Sequence, residues 1–270
     1  MNLRTPGFHL LFMMQKTSTR APRGAFRKKF VVEERYLPVE SRRGLYRASV
    51  ILIAAGLVAF AFLLVGVLTH TGFQRLDTPV EHWFDSLRSR DVTVFMIILA
   101  TVFGPVGMPI IVLIVTVVWL IFAKHAWRPL LLAAGMATGV IFAQVLAPIV
   151  KHPRPPIGLM LAGPDHSYSF PSGHVLGASD FFVILAFLLA SRVQRRGFTI
   201  GAFVVAILMI LLQVFSRLYL GYHYISDTSG SMALSAVILG VVIAIDTKRT
   251  VRIRGERVDG EHSQVQRDNT

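Results

Sequence analysis

Long apolar stretches separated by short polar clusters dominate the chain. A helix needs about 20 residues to cross the roughly 30 Å hydrocarbon core of a bilayer. The first stretch of that length is Ala48 to Thr69. The second region, Val92 to Ala123, is broken at Gly104-Pro105-Val106-Gly107 and reads as a short entry segment followed by a span from about Gly107. Further spans are expected from about Pro129 to Val150, His174 to Ala190, Phe198 to Val214 and Ser229 to Ile245. Between the first two, Phe73, Leu76, Val80, Trp83, Phe84 and Leu87 recur at helical spacing among polar residues. That pattern predicts an amphipathic helix lying along the membrane surface, with Trp83 at headgroup level. The expected fold class is therefore all-α, a polytopic bundle of six transmembrane helices. Residues 1–46 form a basic tail, 47–246 the six-span domain and 247–270 a second tail, expected to be disordered.

Composition agrees. Hydrophobic residues make up 53% of the 270 positions and charged residues only 16%, against roughly 25% charged in soluble domains. Mean hydropathy is +0.58. A disordered chain is excluded, and an ordinary soluble enzyme is not expected. Cysteine is absent, which removes disulfides, thiolate metal sites and a cysteine nucleophile.

The net charge of +13 would suggest a nucleic-acid partner if it formed a patch on a compact domain. Instead it sits in the tails and in the gaps between spans, so no nucleic acid is expected. Six spans put both tails on one side. That side carries 22 lysines and arginines and the opposite side six. The positive-inside rule then places both termini in the cytoplasm of a multi-pass cell-membrane protein. The apolar stretch Phe8 to Met14 is too short for a cleavable signal, so the first span is expected to act as an uncleaved anchor. The basic segment from Arg20 to Lys29 reads as a solvated, topology-setting tail.

This topology sorts the polar residues. Three unusual stretches fall on the outer face: Lys151-His-Pro-Arg-Pro-Pro, Ser167-Tyr-Ser-Phe-Pro-Ser-Gly-His174, and Ser216-Arg-Leu-Tyr-Leu-Gly-Tyr-His-Tyr-Ile-Ser-Asp227. Lys151, Arg154 and Arg217 are cations, and a guanidinium matches phosphate oxygens two at a time. Pro171-Ser172-Gly173-His174 stands where a helix should begin, and free N–H groups there suit an anion. His174 and His223 are imidazoles able to titrate near neutral pH. His223 and Asp227 are four residues apart, so on a helix the carboxylate can hold one ring nitrogen. The other nitrogen is then free to attack phosphorus.

Ser216-Arg217, five residues, His223, three residues, Asp227 is similar to the S-R-x5-H-x3-D signature of the type 2 phosphatidic acid phosphatase and haloperoxidase superfamily. Tyr168-Ser-Phe-Pro-Ser-Gly-His174 resembles its P-S-G-H signature, and Arg154-Pro155 the end of its K-x6-R-P signature. The signatures lie within 147–227. The lysine of the first is missing, because position 147 is Ala147. Lys151 lies one helical turn further on and is expected to reach the phosphate instead.

The resemblance implies a role for each residue. His223 attacks phosphorus, Asp227 orients it, and His174 protonates the leaving oxygen and then activates water. Arg154, Arg217, Ser172 and the Gly173 backbone hold the phosphate, with Lys151 assisting. It also implies a bilayer-embedded lipid phosphate phosphatase acting through a phosphohistidine, with no metal and no cofactor. Phosphatidic acid, phosphatidylglycerol phosphate and a polyprenyl pyrophosphate are the expected substrates. A lipid phosphotransferase would use the same residues. An anion transporter is a different class, but it needs polar residues throughout the spans, and here they cluster at one end. Asp180, within a span, is expected to pair with Ser179 or Gln213 or to line the cavity. His152 and His166 are expected to be ordinary loop residues.

Overall fold

In a computed structural model the chain is described over residues 29–258 and 263–266. The expectations for Phe8 to Met14 and for most of the basic segment from Arg20 lie outside them. The helices are α1 (Val39–Thr69), α2 (Asp77–Ser86), α3 (Arg90–Val102), α4 (Gly107–Phe122), α5 (Trp127–Val150), α6 (Gly173–Val193), α7 (Arg196–Tyr219) and α8 (Ile225–Thr250). A 3₁₀ turn, Gly72–Leu76, leads into α2. Five of these helices are long and apolar enough to cross a membrane. The count is six if α3 and α4, which bend by 53° at their junction, form one broken span. Gly104 and Pro105 stand at that junction, and a proline there leaves no donor to continue the helix.

Helices α6 and α8 are the most enclosed, and their apolar faces form the core with α5. Leu132, Leu176, Ile184 and Leu188 are fully buried there. Large side chains such as Val58, Ile98, Leu113, Ile141 and Leu208 point outward, as expected of faces solvated by lipid rather than water. Small residues set how closely α1 approaches α8. A Cβ on Gly56 would lie 2.7 Å from the Ala233 carbonyl, and one on Gly240 would lie 2.8 Å from the Ser49 carbonyl. The Ser49 hydroxyl donates to Gly240 O at 2.7 Å across the same seam. Small residues let helix backbones meet where apolar burial offers no driving force.

The tails depart from expectation. Helix α1 begins at Val39, well before the expected Ala48, and α8 continues to Thr250. The stretch after Asp246, expected to be disordered, supplies two strands. Strands β2 (Val251–Arg252) and β3 (Ser263–Val265) both pair in parallel with β1 (Val32–Tyr36), in the order β2-β1-β3. Backbone pairing between distant segments leaves no mark on helical periodicity, so a count of apolar runs misses it.

The connecting segments separate into two ends. Ala126 N–H donates to Lys29 O, and Trp127 donates to Asp246. Arg192 pairs with Glu33. The tails and the α4–α5 and α6–α7 connections therefore share one end. At the other end, Gln74 meets His152 and Asp77 meets Ser226.

Candidate active site

The second end gathers His223, Asp227, Arg154, Ser172 and Arg217 from segments far apart in sequence. The C-terminal cap of α5, Lys151, is left-handed with φ 55°. It turns the chain abruptly into His152-Pro153-Arg154-Pro155, where the prolines prevent the helix from resuming. Helix α6 starts at Ser172, whose hydroxyl accepts from Val175 N–H at 3.5 Å. The first N–H groups of α6, at Gly173 and His174, have no intrahelical acceptor. Helix α7 ends at Tyr219, and Gly221 takes φ 74° to reverse the chain. That reversal places His223 just before α8, and Asp227 in the first turn of α8 accepts from Tyr224 N–H at 2.8 Å.

His223 is 4% exposed and Asp227 fully buried. Arg154 Nη1 lies 3.1 Å from His223 Nε2. A guanidinium only donates, so Nε2 carries the lone pair and Nδ1 the proton. Burial lowers the His223 pKa to about 4, against the opposing effect of Asp227. The resting imidazole is therefore neutral, with its lone pair on the nitrogen that faces the arginine.

Asp227 does not hold His223 by a direct hydrogen bond. Its Oδ2 is 3.6 Å from His223 Nδ1. The Ser169 hydroxyl stands between them, 3.3 Å from Nδ1 and donating to Oδ2. The other carboxylate oxygen, Oδ1, accepts from His152 Nδ1 at 2.8 Å. His152 is 3% exposed. The expectation that it is an ordinary loop residue is overturned.

Arg154 is held by Ser167 O at 3.1 Å, Ser167 Oγ at 2.9 Å, Tyr222 O at 2.7 Å and Asp165 at 3.0 Å. Burial pushes the Asp165 carboxyl up, but hydrogen bonds from Ser167 and the Arg154 charge outweigh it and hold the pKa below the ordinary value. Arg217 is 4% exposed and has no carboxylate partner among the described residues. Its guanidinium carbon lies 4.5 Å from the Tyr222 ring centroid, and Nε has no hydrogen-bond partner there. Such a buried cation is costly unless an anion arrives.

His174, Gly173 and the α3–α4 junction line a cavity of about 460 Å³. Its walls are apolar, including Phe103, Met108, Leu113, Met136 and Val140. A Cβ on Gly104 would lie 3.2 Å from His174 Nε2, so a larger residue there would crowd the imidazole.

Two expectations need correction. Lys151 does not continue the face of Ala147, because its left-handed backbone ends the helix and leaves the residue exposed. Asp180 hydrogen-bonds to neither Ser179 nor Gln213; all three carry buried polar atoms without a partner among the described residues. Sequence reading also missed Ser169, Asp165 and Gln74. Ser169 lay inside a quoted motif, but its partners are more than 50 residues away and the motif carries no signal of them.

Residues 128–250 match the family model described as "PAP2 superfamily". The phosphatidylglycerophosphatase B of Bacillus subtilis (strain 168) is 27% identical over 132 residues, 47% of this chain. The alignment spans 62% of that relative's length. A crystal structure of a transmembrane PAP2 type phosphatidylglycerolphosphate phosphatase from Bacillus subtilis is similar at TM-score 0.63 and 21% identity. It covers 72% of this chain and 96% of its own, and the likeness is one of fold. The matched stretch contains His174, His223, Asp227 and both arginines, and over it this multi-pass membrane chain is similar to the PAP2 superfamily.

Proposed function

We propose that the protein is a metal-independent lipid phosphate phosphatase acting through a phosphohistidine, with its site on the outer face and both termini cytoplasmic. One observation carries the reading. A neutral, buried imidazole with its lone pair toward Arg154 stands at the end where an apolar cavity opens onto a second imidazole, His174. The cavity suits an acyl or prenyl chain, and the arginines suit its phosphate. The phosphatase unit is assigned to the helices from Val39 to Thr250.

In the first step His223 Nε2 bonds to phosphorus as the ester P–O bond breaks, and His174 gives the leaving oxygen a proton. In the second, water gives a proton to His174 and attacks phosphorus, and the P–N bond breaks to release phosphate. Arg154 donates to Nε2, and incoming phosphate oxygens take over that donor. Arg217 and the first N–H groups of α6 bind the remaining oxygens, where fixed positive charge favours the transition state. Ser172 shapes that turn, and Lys151 supplies charge at the rim. Phosphatidic acid, phosphatidylglycerol phosphate and polyprenyl pyrophosphate all fit this chemistry.

The test is purified protein in detergent against these three lipids, with His223→Ala as blank. Release of inorganic phosphate that survives EDTA is expected. Transfer of the phosphoryl group to an added alcohol without phosphate release would point to a phosphotransferase. Activity lost with EDTA and restored by magnesium would refute the mechanism. In intact cells, Gly158→Cys should react with an impermeant thiol reagent and Arg195→Cys should not; the reverse would overturn the orientation.

A further inference from the structure

Half-buried Gln74 and the buried His152, Asp227 and His223 form one line from the 3₁₀ turn before α2 to His223. Asp227 accepts from His152 Nδ1 at 2.8 Å. An ionised carboxylate only accepts, so Nδ1 carries the proton, and His152 Nε2 then accepts from Gln74 Nε2 at 3.0 Å. Both ring nitrogens are thus satisfied in the neutral form. The Tyr224 ring stands 5.6 Å from the His152 ring, centroid to centroid, and limits its movement.

We propose that His152 is a positioning residue for phosphoryl transfer, fixing the Asp227 carboxylate by Oδ1 so that Oδ2 stays turned toward Ser169 and His223. The inference rests on the phosphatase reading. A carboxylate held at one oxygen can swing about its Cβ–Cγ bond, whereas one held at both cannot. Here Oδ2 takes Tyr224 N–H and Ser169 Oγ, and Oδ1 takes His152. All these contacts are shielded from water, where hydrogen bonds are stronger and missing ones more costly.

The orientation matters when His223 becomes cationic on bonding to phosphorus, because Nδ1–H then needs Oδ2 within reach. The backbone role of His152 is separate: its carbonyl accepts from Ser169 N–H at 2.9 Å, and side-chain variants leave that bond in place. His223 is also faced by Arg154 and Asp165 from the long connection, His174 from α6 and Arg217 from α7. None of these changes in the test.

The test compares full-length wild type, His152→Ala, His152→Asn and Gln74→Leu in detergent. Phosphatidic acid hydrolysis gives kcat and KM, and NMR of ¹⁵N-labelled histidine gives the titration of His223, assigned by its loss in His223→Asn. In His152→Ala, kcat should fall roughly ten- to hundred-fold with KM little changed. The carboxylate, no longer fixed, supports the His223 cation less well, so the titration should move downward by about half a pH unit or more. The amide nitrogen of His152→Asn takes the place of Nδ1 and should restore most of both. Gln74→Leu should act in the same direction, less strongly, and it decides the matter if His152→Ala does not fold. An unchanged His223 titration in these variants would overturn the proposal, as would equal kcat losses in Ala and Asn that track lost thermal stability. If the wild type cleaves no lipid phosphate, the phosphatase reading fails, and the titration still decides whether His152 governs the Asp227–His223 contact.

Discussion

The two ends of the bundle both bury charge, and they treat it differently. At the sheet end most cations meet carboxylates, and Arg128 meets the Ser191 hydroxyl. Arg35 lies 3.8 Å from Asp246, Arg252 lies 2.9 Å from Glu34, and Arg192 and His125 both reach Glu33. At the His223 end Arg217 meets an aromatic face, and the nearby Asp227 is already saturated by His152, Ser169 and Tyr224. Paired charges secure a fold. A buried cation with no partner costs stability and lowers that cost only when an anion binds. The sheet end is therefore built to persist and the other end to accept a ligand.

The sharpest test of that contrast is His223→Ala. It should abolish the acid-labile phosphoenzyme and lower kcat by roughly 10⁴-fold or more, while thermal unfolding stays near that of wild type. Phosphoenzyme formed by the variant would refute the assignment. Next come two changes of similar energy and opposite kind. Asp246→Ala should cost about 3–5 kcal/mol of stability, because it strands buried Arg35, yet folded molecules should keep their kcat. Arg217→Ala should weaken competitive inhibition by phosphate and vanadate by about 2–5 kcal/mol, yet leave stability equal or improved. Exchange of those two outcomes between the variants would break the comparison.

A smaller effect concerns pH. Burial lowers the His223 pKa from 6.5 to about 4, so the unfolded chain takes up this proton first as pH falls. The stability this group contributes is complete above pH 6.5 and is lost as pH falls from 6.5 toward 4. The acid limb of kcat/KM, which reports the free enzyme, should likewise fall toward pH 4 instead of at 6.5. A limb at 6.5 or above would show that the resting imidazole is not shielded. The smallest change expected is Asp85→Ala, which removes an i,i+3 pair with Arg88 at 2.6 Å. Asp85 is largely solvent-exposed, so the loss should stay under about 1 kcal/mol in urea unfolding.

The sequence made the spans legible because lipid demands unbroken apolar length. It marked His174, His223, Asp227, Arg154 and Arg217 as candidates because their spacing resembles known signatures, and the fold brings them to one end of the bundle. His152 was invisible for a physical reason. Its partner lies 75 residues away, and its burial follows the left-handed turn at Lys151, which apolar periodicity does not announce. Ser169 was hidden differently: nothing in Tyr168-Ser169-Phe170 says that the hydroxyl will stand between a carboxylate and an imidazole. The sheet escaped because its strands are short and its partners lie at opposite ends of the described chain.

That small parallel sheet also bears on biosynthesis. Glu34 on β1 waits for Arg252, 218 residues later. During synthesis β1 leaves the ribosome before any span, and its partners β2 and β3 follow α8. The sheet therefore closes last, after every crossing has been made, and a chain stopped before Val251 cannot close it. A chain without the C-terminal strands leaves both edges of β1 unpaired, and an unpaired edge is a template for pairing with another chain.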